Sequence, residues 1–371
     1  MTRLVYISGT RADFGLMKKT LLELNKYIDL TIIATGMHLS EEWGFTIKEV
    51  EMAKLNIEKV EMPVNGKGLE DMVKALGTGL INITQAIKAL NPDIILVEGD
   101  RGEALIGAII GAHLNIPIVH HGGGDKSSSI DNKIRNAITM FSDIHLVGNN
   151  ESYNHLIKMG ILKEKIFIVG EPGLDDIIGN NYTLEDEITK KFSLNLEVPL
   201  ILLLFHPNTH EYIAIEQQIS IIMEAIKDLE INTIGLYSNA DAGGQVINEV
   251  LEKYAQKLSF LEVYNHCYRE DFLGLVNVCD VMIGNSSSGL IELPSFKKPF
   301  INVGTRQNGR LKANNAIDVD YNKNEIIEKI NFAIYNQHFK NSLNNLTNPY
   351  GDGKSYLSIT ENILKVIKEM C

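Results

Sequence analysis

A chain of 371 residues is too long for one ordinary core, and two domains of about 150–200 residues are expected. Its 44% hydrophobic and 22% charged residues exclude a disordered or fibrous chain. The formal net charge of −12 argues against a nucleic-acid partner, because nothing would offset phosphate repulsion, so an anionic ligand has to be met by local cations and backbone N–H groups.

The first residues, MTRLVYISGTRAD, carry Arg11 and Asp13 where a secretory leader would still be apolar. Cys267, Cys279 and Cys371 have no pairing spacing, which points to a reducing compartment. PLILLLF and ALIGAIIGAHL fall far short of the ~20 residues a membrane helix needs. A cytoplasmic protein with no membrane partner is expected.

In chain order, LVYIS (4–8), LTIIA (30–34), DIILVE (93–98), IPIVH (116–120), DIHLV (143–147) and KIFIVG (165–170) read as buried parallel strands. GLMKKTLLELNK, MVKALGTGLINITQAIKAL, EALIGAIIGAHL and KIRNAITMFS read as the helices between them. A polar stretch, 175–198, separates this series from a second one: PLILLLF (199–205), NTIGLY (232–237), FLEVY (260–264), DVMIG (280–284), PFINVG (299–304) and AIDV (316–319). The expected fold is α/β: two Rossmann-like, doubly wound parallel-sheet domains with an interdomain cleft. The boundary falls near 172–190, giving domains 1–175 and 185–354, with a C-terminal helix, 355–371, that can pack back on the first.

In such folds ligands bind at the carboxyl ends of strands, so the loops there are the candidate site. In SGTRADFGL (8–16), Arg11 and Asp13 either meet a ligand or are a surface charge and a helix cap. In EGDRGEAL (98–105), Asp100 and Glu103 have capping-box spacing, while Asp100 is also placed as a general base would be. PIVHHGGGDKSSSID (117–131) holds His121, Asp125 and Asp131 ahead of a helix, which Asp131 could simply cap. His206 in FHPNTHE is a turn histidine or a phosphate donor, and Asn239 lies in the polar loop YSNADAGG. GNSSSGLIE (284–292) is the sharpest feature. Gly284 permits a tight turn, and Ser286 and Ser287 at a helix start offer a diphosphate seat unless they only cap it. Glu292 is placed to accept from a ribose, and Arg306 and Arg310 in GTRQNGR add cations. Neither G-x-G-x-x-G after the first strand nor G-x-x-x-x-G-K-[ST] occurs, so redox and P-loop readings lack their signature. His120, His121, Asp125 and Asp131 are a conceivable ligand set without a metal motif's spacing, so no metal is expected.

Together, SGTRADFGL, EGDRGEAL, IPIVHHGGGDKSSSIDNKIRNAIT, VGEPGLDDI, HPNT, SNADAGG, GNSSSGLIE and NVGTRQNGR resemble the UDP-N-acetylglucosamine 2-epimerases. The likeness runs from about residue 4 past YGDG (350–353) and is strongest to the hydrolysing branch of sialic- and legionaminic-acid synthesis. It implies a GT-B-like domain pair, a UDP-sugar substrate, no cofactor, and a homodimer or dimer of dimers. It implies removal of the C2 proton as UDP leaves C1, then hydration of the 2-acetamidoglycal to UDP and N-acetylmannosamine. By the resemblance Asp100 and Asp131 are the acid/base carboxylates, with Arg101 beside the first, and Arg11, His206, Ser286, Ser287, Glu292 and Arg306 hold UDP. Where several members carry a catalytic Glu this chain has Gly122, and R-H-A-I-T-K appears as Arg135-Asn136-Ala137-Ile138-Thr139-Met140. Two neighbours are expected substitutes for that Glu: Asp125, free to reorient beside glycines, and His121, titrating near neutral pH. A 2-epimerase of UDP-N,N′-diacetylbacillosamine, a GT-B glycosyltransferase and a silent nucleotide-sugar binder are the competing readings.

Overall fold

The structure, a computed structural model, describes residues 1–64 and 68–370; Cys371, the last residue of the expected C-terminal helix, lies outside them. Among the described residues thirteen strands form two wholly parallel sheets. The first contains β1 (Arg3–Ser8), β2 (Asp29–Ala34), β3 (Asn56–Lys59), β4 (Ile94–Glu98), β5 (Ile118–His121), β6 (Ile144–Val147) and β7 (Ile166–Ile168), in the order β3-β2-β1-β4-β5-β6-β7. The second contains β8 (Leu200–Leu204), β9 (Asn232–Leu236), β10 (Leu261–Tyr264), β11 (Val281–Gly284), β12 (Phe300–Val303) and β13 (Ala316–Val319), in the order β10-β9-β8-β11-β12-β13. In both sheets strand order reverses beside the first strand, at β1/β4 and at β8/β11. That reversal opens a crevice at the carboxyl ends of these strands.

Central strands are buried on both faces, as Ile94, Ile95, Leu96 and Val97 of β4 show. β3 escapes the sequence reading because NIEK is an edge strand with only Ile57 packing inward, too short and polar to announce itself. The polar stretch 175–198 is likewise not a plain linker: Gly173–Ile178 and Glu185–Lys191 are helical there. Leu174 and Ile177 of the first of these join the core of the second sheet.

The Ser355–Met370 helix places Ile359, Ile363 and Val366 in the core under β1 and the Arg11–Leu24 helix. Its spacing of i, i+4 and i+7 is that of one helical face. Asp175 holds its start by accepting from the N–H groups of Ser355 (2.8 Å) and Tyr356 (2.7 Å). Among the described residues no helix is long and apolar enough to cross a membrane.

Candidate active site

The crevice is a cleft of about 310 Å³ walled by both sheets. All the candidate residues named above line it except Glu103, His120, His121 and Asp131. A larger depression of about 540 Å³ lies at the opposite, amino ends of β4 and β5, where Asp93 is the one charged side chain. It offers no chemistry.

The loop after β1 is built around Asp13. Its carboxylate accepts from Ser8 Oγ and from the N–H groups of Gly9 (3.1 Å) and Thr10 (2.9 Å). Thr10, not Asp13, is the N-cap of the Arg11–Leu24 helix, and Asp13 completes the capping box from the third helical position. Burial pushes the Asp13 carboxyl up to about 7, so it shapes the loop and offers little to a ligand. Arg11 is better placed. It meets His266 Nδ1 at 3.1 Å and has no carboxylate partner among the described residues, which leaves its charge for a ligand.

After β4 the expected capping box is not formed. The N-cap of the Gly102–Leu114 helix is Arg101, without a side-chain bond, and Asp100 is ion-paired with Arg135 instead. Arg101 reaches Glu103 (3.4 Å) and, across the cleft, Asp241 (3.5 Å). Burial works against the Asp100 charge, but Arg135, Arg310, Arg306 and Arg101 together hold its carboxyl below the ordinary range.

The loop after β5 departs most from expectation. His120 Nε2–H donates to the Gly99 carbonyl (2.8 Å) and Nδ1 accepts from Thr139 (3.3 Å). Burial pushes its pKa down to about 3, and the ring is neutral. His121 does not titrate near neutral pH. Nδ1 faces Glu98 Oε2 at 2.6 Å and Nε2 faces the Gly170 carbonyl at 3.1 Å, both acceptors, so both nitrogens must carry protons. Burial opposes that charge, yet Glu98 and Glu171 raise the pKa to about 10. Neither histidine has a ring nitrogen free for a metal. Asp125 is not free to reorient either: it is buried, accepts from Ser152 Oγ (2.6 Å) and pairs with Arg310 (3.3 Å).

The Ile130–Phe141 helix begins before Asn132, with Ser129 at the N-cap and Asp131 inside the first turn. Asp131 accepts from Ser129 Oγ (2.8 Å) and from Arg306 Nη2 of the opposite domain (3.0 Å). Burial and the neighbouring Asp100 charge push its carboxyl up, while Arg306 works the other way. One turn on, Arg135 is 2% exposed and also donates to the Asp125 carbonyl (3.0 Å).

From the second domain, Asn285 pins two loops. Its side chain exchanges 2.8 Å bonds with the backbone of His206, and its carbonyl accepts from Arg306 (3.1 Å) and Gln307 (2.7 Å). Nδ1 of His206 accepts from Asn239 N–H (3.4 Å), so the ring is neutral with its proton on Nε2; burial and the nearby arginines hold its pKa well below the usual value. A Cβ at Gly284 would sit 1.8 Å from the Leu204 carbonyl, at φ +145°, so only glycine lets this turn carry Ser286 and Ser287 to the cleft. Ser287 makes no side-chain cap to the four-residue Ser288–Ile291 helix, and Ser286 Oγ accepts only a long 3.4 Å bond from the Ser288 N–H. Glu292 lines the cleft but is largely buried, with Oε1 paired with Arg269 at 2.6 Å. Asn239 is tied to Asp241 at 2.6 Å.

Sequence reasoning missed Glu98, Arg135, Glu171 and Arg269. A lone charge ending an apolar strand (Glu98) and a lone cation on the face of Ile138 (Arg135) were the available signals. Glu171 is buried at the cleft wall, and burial pushes its carboxyl up to about 8.

His121 gives a pH test. Its folded pKa of about 10 lies above the ordinary 6.5, so its stabilisation is complete below pH 6.5 and is lost as pH rises towards 10. The slope is about 1.4 kcal/mol for each pH unit over which only the folded chain keeps the proton. Denaturant unfolding at pH 6.5 and 9 is expected to show lower stability at 9, and Glu98→Gln to flatten the fall.

The family model described as UDP-N-acetylglucosamine 2-epimerase matches residues 21–365. The chain is 37% identical to the hydrolysing UDP-N,N′-diacetylbacillosamine 2-epimerase of Legionella pneumophila, covering 95% of this chain and 93% of that one. It is 34% identical to a UDP-N-acetylglucosamine 2-epimerase of Neisseria meningitidis serogroup B, covering 90% and 88%. The fold matches the crystal structure of a Neisseria meningitidis UDP-GlcNAc 2-epimerase bound to UDP-GlcNAc, with TM-score 0.83 at 17% identity over 98% of this chain and 100% of that one.

Proposed function

This chain belongs to the UDP-N-acetylglucosamine 2-epimerase family, in its hydrolysing branch, and on that premise we propose how it works. It takes a UDP-linked 2-acetamido sugar, eliminates UDP across C1–C2, and hydrates the glycal to the free 2-epimer. One observation carries this reading. Arg11, without a carboxylate partner, and from the second domain the neutral His206 donor, Ser286, Ser287 and Arg306 share one cleft with Asp100, and Asp131 stands just behind its lining, 3.0 Å from Arg306. The first group suits a departing diphosphate, and the second suits proton traffic at C2.

Arg306 joins the two. A diphosphate draws Arg306 from Asp131, leaving burial, Asp100 and Asp241 to act against the Ser129 hydrogen bond, and Asp131 takes up a proton. Asp100, held ionised by Arg135, is the charge that keeps that proton in place. Nucleotide binding thereby arms the acid.

The substrate we propose is UDP-N-acetylglucosamine, giving UDP and N-acetylmannosamine. UDP-N,N′-diacetylbacillosamine is a second reading, favoured by the missing side chain at Gly122 and by the similarity to the Legionella enzyme. Comparing kcat/KM on the two nucleotides decides between them, and failure to release UDP from either would sink both. Free Cys267 and Cys279 support a cytoplasmic setting, and exposed Leu69, Val73 and Ile81 on the Leu69–Leu90 helix support a homodimer.

A further inference from the structure

Inversion at C2 needs a proton acceptor on one face of the ring and a donor on the other, and this inference rests on the epimerase reading above. The cleft has few carboxylates left to accept. Asp13 is consumed by its loop and Asp125 by Ser152 and Arg310, while Glu292, paired with Arg269, stands at the end of the Ser288–Ile291 helix on the nucleotide side. Asp100 is paired with Arg135 and lies in the field of three further arginines, against a single imidazolium at Glu98, so Asp100 is the weaker base of the two.

Glu98 differs. It ends β4, lines the cleft, and is paired in register with His121 of β5. Its Oε2 is fixed by the His121 imidazolium at 2.6 Å, and its Oε1 has no hydrogen-bond partner among the described residues. That oxygen lies 3.5 Å from where a Cβ of residue 122 would stand, and Gly122 itself has φ +81°. A side chain at 122 would be strained at that φ, and its Cβ would stand in van der Waals contact with Glu98. Glu171, which keeps its proton to about pH 8, adds no competing anion below that pH.

We propose that Glu98 is the proton acceptor at C2, projecting from the neighbouring strand into the space that Gly122 leaves empty. Glu98 Oε1 takes the C2 hydrogen as a proton, and the C–H pair becomes the C1=C2 π bond. The C1–O bond breaks with its electron pair leaving on the UDP oxygen. The products of this step are the glycal, UDP and protonated Glu98. Asp131 then protonates C2 from the other face while water adds its oxygen to C1 and releases a proton to solvent. Glu98 gives up its proton to solvent, from which Asp131 is recharged.

The test is Glu98→Gln, assayed with UDP-N-acetylglucosamine and UDP-N,N′-diacetylbacillosamine in D₂O. UDP release is expected to fall about 10²–10⁴-fold with no glycal accumulating, while KM and the affinity for UDP alone stay within about threefold. Near-normal turnover overturns the proposal. So does normal UDP release with accumulating glycal, which would make Glu98 the donor of the second step. If thermal unfolding shows that Glu98→Gln does not fold, Glu98→Asp decides: it keeps the negative charge beside His121 but draws the whole carboxylate back from the cleft. A kcat lower by about tenfold or more at unchanged KM is then expected, and unchanged kcat overturns the assignment. If the unmodified protein places no deuterium at C2, the epimerase reading itself fails, a result visible before any variant is made.

Discussion

Replacing Asp131 with asparagine is expected to lower kcat by about 10²–10⁴-fold while leaving UDP affinity at least as high. The two effects separate because Arg306 serves two partners. In the free protein its guanidinium lies 3.0 Å from Asp131, and a diphosphate has to compete with that carboxylate. Asparagine removes the competitor and the acid together. Calorimetric titration with UDP checks the first effect, and the rate of sugar release checks the second. Weakened UDP binding would show that Arg306 depends on Asp131 for its position and would remove the proposed link between nucleotide and acid.

Arg135→Met is expected to cost about 3 kcal/mol of stability as well as most of the activity. Arg135 is 2% exposed, and its loss leaves the Asp100 carboxylate facing a cleft wall without its nearest cation. Removing one partner of a buried pair is far costlier than removing both, because the penalty is the charge left behind. Asp100→Asn with Arg135→Met should therefore recover most of the stability in denaturant unfolding but none of the turnover. If the double variant is as unstable as the sum of the two single ones, Arg135 acts through its bond to the Asp125 carbonyl rather than through Asp100.

The architecture was legible because parallel strands carry short apolar runs rich in Ile, Leu and Val, and twelve of the thirteen described strands coincide with such runs. β3 did not, having only Ile57 to bury. The site's location followed from the rule that ligands meet strand carboxyl ends, so residues such as Arg11, His206 and Ser286 could be named from their loops. What each charge does was not legible, since that depends on partners distant in sequence. Arg269 beside Glu292 is announced by no local motif, and His121 looks like a neutral-pH switch until Glu98 and the Gly170 carbonyl take both ring nitrogens. Asp125 beside three glycines reads as mobile, yet Ser152 and Arg310 close on it from helix and loop. Glu98 itself was read as a strand end. Only the register of β4 against β5 brings it beside Gly122.

Product analysis by NMR in D₂O tests the central claim most directly. The unmodified protein, given whichever of the two nucleotides it turns over faster, should release UDP and a free sugar inverted at C2 with one deuterium at that carbon. A free sugar that keeps its C2 configuration and its C2 protium would contradict the account, since it would show hydrolysis at C1 without the elimination for which the cleft's carboxylates are arranged.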